Sequence, residues 1–190
     1  VAGVGFSPTP VVDVYDEWGN KTSLGSKTIR ADLITSGANP TDVVTNKTTV
    51  SVSSGAATFT GLNFTQAGSY RIRFVDTASS GKLADVLSGT FTISAAAPAK
   101  LAWDIQPTAT VSRAVMAQAP TLRVMDEFNN FVASDSVTEV TLVVTDANGN
   151  VVTPNFAQGL TERAANGVVT FDNLALGLLN ANYKLKVDSA

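Results

Sequence analysis

The sequence predicts an all-β chain made of two tandem sandwich domains, and three observations carry that expectation. Apolar and polar residues alternate with a period of two along much of the chain, which places one face of a strand in a core and the other in water. A set of motifs recurs at an offset of about 110 residues, close to the length of one seven-stranded sandwich. No segment carries the 3.6-residue apolar stripe of an amphipathic helix.

The first repeated block is Pro10 to Asn20, matched by Pro120 to Asn130. Each copy reads as a short strand, with Val12 and Val14 or Leu122 and Val124 on one face, running into an acidic, aromatic, Asn-containing turn. Alternation continues at Ile29, Ala31 and Leu33, and at Val140, Leu142 and Val144. Asn148-Gly149-Asn150 reads as a hairpin turn, because Asn and Gly accept positive φ. The second block pairs Gly55 to Phe64 with Gly167 to Leu176, and the third pairs Tyr70 to Phe74 with Tyr183 to Val187. Phe91 and Ile93, then Leu101, Trp103 and Ile105, add further period-2 runs. Phe59, Phe171, Leu62, Leu174, Tyr70, Tyr183 and Trp103 occupy regular apolar positions and are expected in the core. The link Ala95 to Ala99 contains Pro98, which restricts the backbone. It divides the chain into domains 1–96 and 97–190, joined by a linker short enough to favour a stiff rod.

Composition narrows the functions. Apolar residues make up 44% and charged residues 15% of the 190, enough to build cores and unlike a disordered chain. The net charge of -3 offers no basic footprint for nucleic acid, and no apolar run approaches the ~20 residues of a membrane helix. Without Cys, neither disulfides nor thiolate metal sites are available. Without His or Cys, the commonest general base and thiol nucleophile are missing. The acidic pairs Asp16-Glu17 and Asp126-Glu127 could in principle act as acid and base. Adjacent residues at a strand end point to opposite sides, however, and the pairs recur as a turn signature. No enzyme is expected.

No cofactor is expected, although oxygen-rich turns could hold calcium. Asp146, Asn148 and Asn150 have the alternating ligands that open a calcium loop, but the closing bidentate Glu is absent, and a plain hairpin is the stronger reading. Asp16, Asp126 and Asp104, near the expected domain ends, form a second candidate set. Asn20, Asn46 and Asn63 each begin an N-glycosylation sequon, all in the first copy. Among the aromatics, Trp103 reads as core, whereas Trp18 and Phe128 read as packing under their own turns, with a sugar platform as the alternative.

The order of these motifs resembles the bacterial immunoglobulin-like repeats of large surface and S-layer proteins, and more distantly filamin-type repeats. The resemblance rests on the strand, the Asp-Glu-aromatic-(Gly/Asn)-Asn turn, Gly-x-x-Thr-Phe-x-x-Leu, Gly68-Ser69-Tyr70, Gly89 to Ile93, and Ala99 to Leu101. It implies two tandem immunoglobulin-like β-sandwich domains. Tyr70 and Tyr183 then stand where such sandwiches bond a tyrosine hydroxyl back to a corner, or are ordinary strand tyrosines. It further implies a structural or spacer module of a surface layer, filament or fibre, outside the cell, at a cell surface or on a virion. The expected partners are neighbouring immunoglobulin-like domains or copies of the chain itself. An adhesive module binding a surface glycan, or an accessory domain of a large secreted enzyme, is the alternative.

The repeat alignment also leaves two strands unmatched. Val1 aligns with Val111, so the first copy lacks a counterpart of Lys100 to Ile105, and the second lacks a counterpart of Gly89 to Ile93. Either the chain is a window on a longer array, the favoured reading, or neighbouring subunits donate strands head to tail.

Overall fold

The computed structural model describes residues 1–23, 25–37, 43–108, 110–154, 156–177 and 183–189, leaving the side chains of 43–47 and 188–189 aside. Among the described residues the chain is all-β, with its strands spread over several sheets in an arrangement compatible with a β-sandwich. It divides into two compact units, Val1–Ala95 and Ala96–Ala190.

In the first unit, β1 (Val11–Asp13) pairs antiparallel with β4 (Ala56–Thr58). The second sheet is built on β2 (Thr28–Thr35) and β5 (Gly68–Asp76), with β3 (Val43–Ser51) outside β2. Two short strands, β6 (Val86–Leu87) and β7 (Phe91–Ile93), share the far edge of β5. Phe59, which follows β4, is fully buried and meets Phe74 of β5 with ring centroids 5.1 Å apart, so side chains from the two sheets fill one core. Phe6 closes one end of this core by edge contacts with Phe64 and Phe91.

The second unit begins with β8 (Lys100–Ile105), which pairs with β9 (Thr121–Met125), itself paired with β13 (Val168–Thr170). Opposite lies β10 (Glu139–Thr145), between β12 (Thr161–Arg163) and β15 (Lys184–Ser189). A small ladder joins β11 (Ala157–Gln158) to β14 (Ala175–Leu176). Phe171, Leu122, Leu142 and Leu174 are buried, the counterparts of the first unit's apolar positions.

The repeat persists at the level of single hydrogen bonds. The amides of Val14 and Val124 donate to the carbonyls of Gly55 and Gly167, and those of Phe59 and Phe171 donate to Pro10 and Pro120. Both copies turn from the preceding segment into β4 or β13 through a two-residue hairpin. Its central residues have positive φ: 49° and 76° at Ser54 and Gly55, 51° and 77° at Asn166 and Gly167. That is the turn whose twist matches paired strands. Glycine is required at the second position for a further reason. A Cβ would overlap the Thr22 carbonyl at Gly55, or the Val132 carbonyl at Gly167.

Two expected core residues lie elsewhere. Trp103 is only half-buried, because β8 is an edge strand with one face toward the core. Tyr183 is 37% exposed, whereas its counterpart Tyr70 is 4% exposed. Tyr70 pairs with Phe91 of β7 and donates its hydroxyl to the Ala67 carbonyl at 3.2 Å, forming the tyrosine corner. Among the described residues no strand takes the place of β7 beside β15. The matching asymmetry holds for β1, which pairs only with β4, while β9 pairs with both β13 and β8.

Truncating Phe59 or Phe171 to Ala should each lower stability by about 3–5 kcal/mol in urea melts, the usual cost of deleting a buried aromatic ring. Gly55→Ala and Gly167→Ala should each cost about 1–3 kcal/mol or more, since strained φ and a carbonyl overlap act together. Changes below about 0.5 kcal/mol at the glycines would contradict the hairpin geometry.

Candidate functional site

The acidic turns are one structure used three times. Asp16 Oδ1 accepts the amides of Trp18 and Asn20 at 3.0 and 2.8 Å, while Oδ2 accepts Asn20 Nδ2 at 3.1 Å. Asp126 does the same with Phe128 and Asn130 at 2.9, 2.8 and 2.7 Å. Asp146 repeats it with Asn148 and Asn150 at 2.8, 2.9 and 3.0 Å. The fourth residue has positive φ each time, 83° at Gly19, 69° at Asn129 and 91° at Gly149. Hence the pattern is Asp, three residues with Gly or Asn last, then Asn. The third copy lies outside the 110-residue repeat, and its signal was the pairing of Asp with an Asn four residues on.

These bonds hold the carboxylates in their charged form. The Asn20 amide, followed by its side chain, lowers the Asp16 pKa, and the Asn150 side chain and amide lower that of Asp146. Both oxygens of each carboxylate are thus engaged within their own loop. Among the described residues no group of three His, Cys, Asp or Glu is placed to hold a metal ion.

Asp126 differs from Asp16 in one respect. It is fully buried, and its Oδ2 also accepts the Ala96 amide at 2.9 Å, fastening the first residue of the second unit to the turn. Burial pushes its pKa up, but the hydrogen bonds from the Asn130 side chain and the Ala96, Asn130 and Phe128 amides outweigh this and lower it. Asp16, half-buried, accepts only from its own loop among the described residues.

Three further buried acids, Asp32, Asp76 and Asp135, are not singled out by the sequence. Asp32 on β2 lies opposite Arg73 of β5 and two residues from Arg30 on the same face. It accepts Arg30 Nε and Nη2 at 2.8 and 2.9 Å and Arg73 Nη2 at 3.1 Å. Only the strand register brings these groups together. Asp76 ends β5, pairs with Lys27 Nζ at 3.0 Å and accepts the Ala78 and Leu83 amides, which organises the loop that follows. Asp135 accepts the amides of Val137 and Thr138 and the Thr138 hydroxyl. For Asp76 and Asp135 burial opposes ionisation, and the hydrogen bonds, with Lys27 or Arg163 beside them, prevail and lower the pKa.

The remaining candidates are dispersed. Asp104 forms an exposed ion pair with Arg123 at 3.1 Å, and among the described residues it belongs to no group of three acids that could hold a metal ion. Asn20 Nδ2, the atom a glycan would use, is engaged by Asp16, and Asn63 Nδ2 donates to Gly61 at 3.1 Å. The side chain of Asn46 lies outside the described residues. Phe128 is half-buried, but Trp18 is 78% exposed and does not pack under its turn as expected. In the second unit the segment that leads into β8 reaches the Asp126 turn through the Ala96 amide, and among the described residues nothing does so at the Asp16 turn, so the indole stays exposed, as does Tyr15.

Asp126→Asn would turn one acceptor oxygen toward two donors, or present an NH₂ to them, and should cost about 1–3 kcal/mol. Asp16→Asn should cost less, because water reaches its turn. The depressed pKa values of Asp76, Asp126 and Asp135 set the direction of the pH response. Their stabilisation is complete above the unfolded carboxylate value of about 4 and is lost as pH falls through the lower folded values. Urea midpoints should therefore be level above about pH 5 and drop below about pH 4, less steeply in Asp126→Asn.

No protein-family model matches the sequence, and no curated protein does. Among solved structures, the chain is similar to the apo structure of Bacteroides uniformis beta-glucuronidase 3, at 11% sequence identity and a TM-score of 0.29. The alignment covers 97% of this chain but spans only 25% of that one, an overlap from which no fold or activity is transferred.

Proposed function

We propose that the chain is a structural spacer from an array of immunoglobulin-like repeats at an extracellular surface. The observation that supports this most is where the polar chemistry goes. The turn and loop aspartates Asp16, Asp76, Asp126, Asp135 and Asp146 are consumed in closing loops, bond by bond, and the Asp16 and Asp126 turns repeat in both units. Acids so engaged stiffen connections and leave little to bind or transform a substrate. A module selected for length and mechanical integrity spends its polar groups in this way. Catalysis has no place in this reading, and neighbouring repeats are the expected partners.

Pulling on the chain from its two ends should give two unfolding events, each releasing roughly 300–340 Å of contour length at about 3.3–3.6 Å per residue. Titration with a panel of surface glycans should show no saturable binding. A single event, or saturable glycan binding abolished by Trp18→Ala, would replace the spacer reading with an adhesive one.

A further inference from the structure

The chain contains two Asn-Gly steps, Asn148-Gly149 and Asn166-Gly167. Such a step carries chemistry of its own, because the glycine amide nitrogen can attack the Asn side-chain carbon Cγ, and glycine has no side chain to obstruct the approach. The two steps lie in the same unit but in different surroundings.

Asn166-Gly167 is locked. The Gly167 amide donates to the Asp135 carbonyl at 2.6 Å, and its carbonyl accepts the Val124 amide at 2.8 Å. Gly167 is buried against the Val132 carbonyl, and Asn166, held at a φ of 51°, donates its own amide to Ser136 Oγ at 3.2 Å. For the Gly167 nitrogen to reach the Asn166 carboxamide, this hairpin has to open and a buried hydrogen bond has to break. Asn148-Gly149 is open. Both residues are exposed, and no described residue beyond the chain neighbours comes within 4 Å of the place of a Gly149 Cβ. The Gly149 amide has one bond, to the Asp146 carbonyl at 3.1 Å. The Asp146 carboxylate takes the backbone amide of Asn148 and both nitrogens of Asn150, so among the described residues the Asn148 side chain has no partner. In the two sister turns this position holds Trp18 and Phe128, which have no carboxamide.

We propose that Asn148 is a self-modification site, converted in the folded protein to aspartate and isoaspartate with water as the co-reactant, while Asn166 is held unreactive by its hairpin. The Gly149 nitrogen gives up its proton and bonds to Asn148 Cγ. The bond from Cγ to Nδ2 breaks, and Nδ2 leaves as ammonia with that proton, closing a succinimide ring. Water then opens the ring at either carbonyl. Opening at Cγ gives aspartate, and opening at the main-chain carbonyl gives isoaspartate, whose backbone runs through Cβ and Cγ. Each product adds one negative charge. Isoaspartate also lengthens the main chain by one methylene between the amides of residues 148 and 150, which Asp146 Oδ1 now accepts together at 2.8 and 2.9 Å. The turn then loses its closure, and the bond that returns the chain, from the Val152 amide to the Val144 carbonyl at 2.9 Å, weakens with it. The site stands whether the array is a spacer or an adhesin.

The test incubates the whole chain in buffer and, separately, unfolded in urea, and follows both Asn-Gly peptides by mass spectrometry, with isoaspartate identified by electron-transfer fragmentation. In urea the two steps should react at similar rates. In buffer Asn148 should stay within about 3-fold of its urea rate and Asn166 should slow by about 10-fold or more, the cost of opening its hairpin. By NMR, the Val152 amide should exchange faster in the aged chain than in the fresh one, with Val124, in the Gly167 hairpin, unchanged. Asn148→Ser keeps the backbone amide that Asp146 uses and should age without that change. Equal slowing of both residues by folding overturns the proposal, as does an Asn166 that reacts as fast as Asn148 in buffer. Isoaspartate at position 148 with Val152 exchange unaltered overturns its consequence for the turn.

Discussion

A carboxylate that accepts hydrogen bonds from its own loop is the interaction on which the rest of this structure depends. Asp16, Asp126 and Asp146 each draw in two amides and an Asn side chain. The chain therefore reverses at once and returns beside the strand it left, with Thr22, Val132 and Val152 bonded back to Val14, Val124 and Val144. In the repeated blocks the returning carbonyl of Thr22 or Val132 then lies against Gly55 or Gly167, where a Cβ has no room. The hairpin carrying that glycine delivers Phe59 or Phe171 to the centre of its core. Turn, glycine and core aromatic thus form one connected constraint.

Because the chain has no disulfide, the cores must be closed by burial and their edges by backbone pairing. The buried polar groups obey the same economy. Asp32 is placed between Arg30 and Arg73, and Asp76 between Lys27 and two amides. At Asp76 burial opposes ionisation, and the Ala78 and Leu83 amides together with Lys27 outweigh it. Losing one partner would leave a buried acid uncompensated, so the Asp32–Arg73 pair ties the register of β2 on β5 to stability.

The contrast between Asp16 and Asp126 shows how one local motif takes on different roles. The loop bonds are the same, but the Ala96 amide and the segment leading into β8 bury the second turn and leave the first in water. The same segment accounts for the difference between β1 and β9, and for the bare Tyr15 and Trp18. An unpaired edge with apolar side chains is a liability in solution unless something covers it.

By itself the sequence determined what depends on neighbours along the chain. Period-2 alternation marked the strands around Leu33, Leu142 and Val124, and the 110-residue repeat marked the strand ending at Phe74 and the buried Phe59 and Phe171, whereas the hairpins at Gly55 and Gly167 were not read from it. The acidic blocks were legible as turns, for Asp and Asn act on backbone two to four residues away. Tertiary structure alone decided the rest. The Asp32 cluster exists through the register of β2 on β5, and Trp103 and Tyr183 are less buried than their pattern suggests because burial depends on whether another strand covers them. Trp18 is exposed for the same reason, since Phe128, in a turn with the same hydrogen bonds, is half-buried where the segment before β8 reaches it. Alternation specifies which face a residue takes, whereas exposure is settled by what lies across from that face, and that is a property of chain segments distant in sequence.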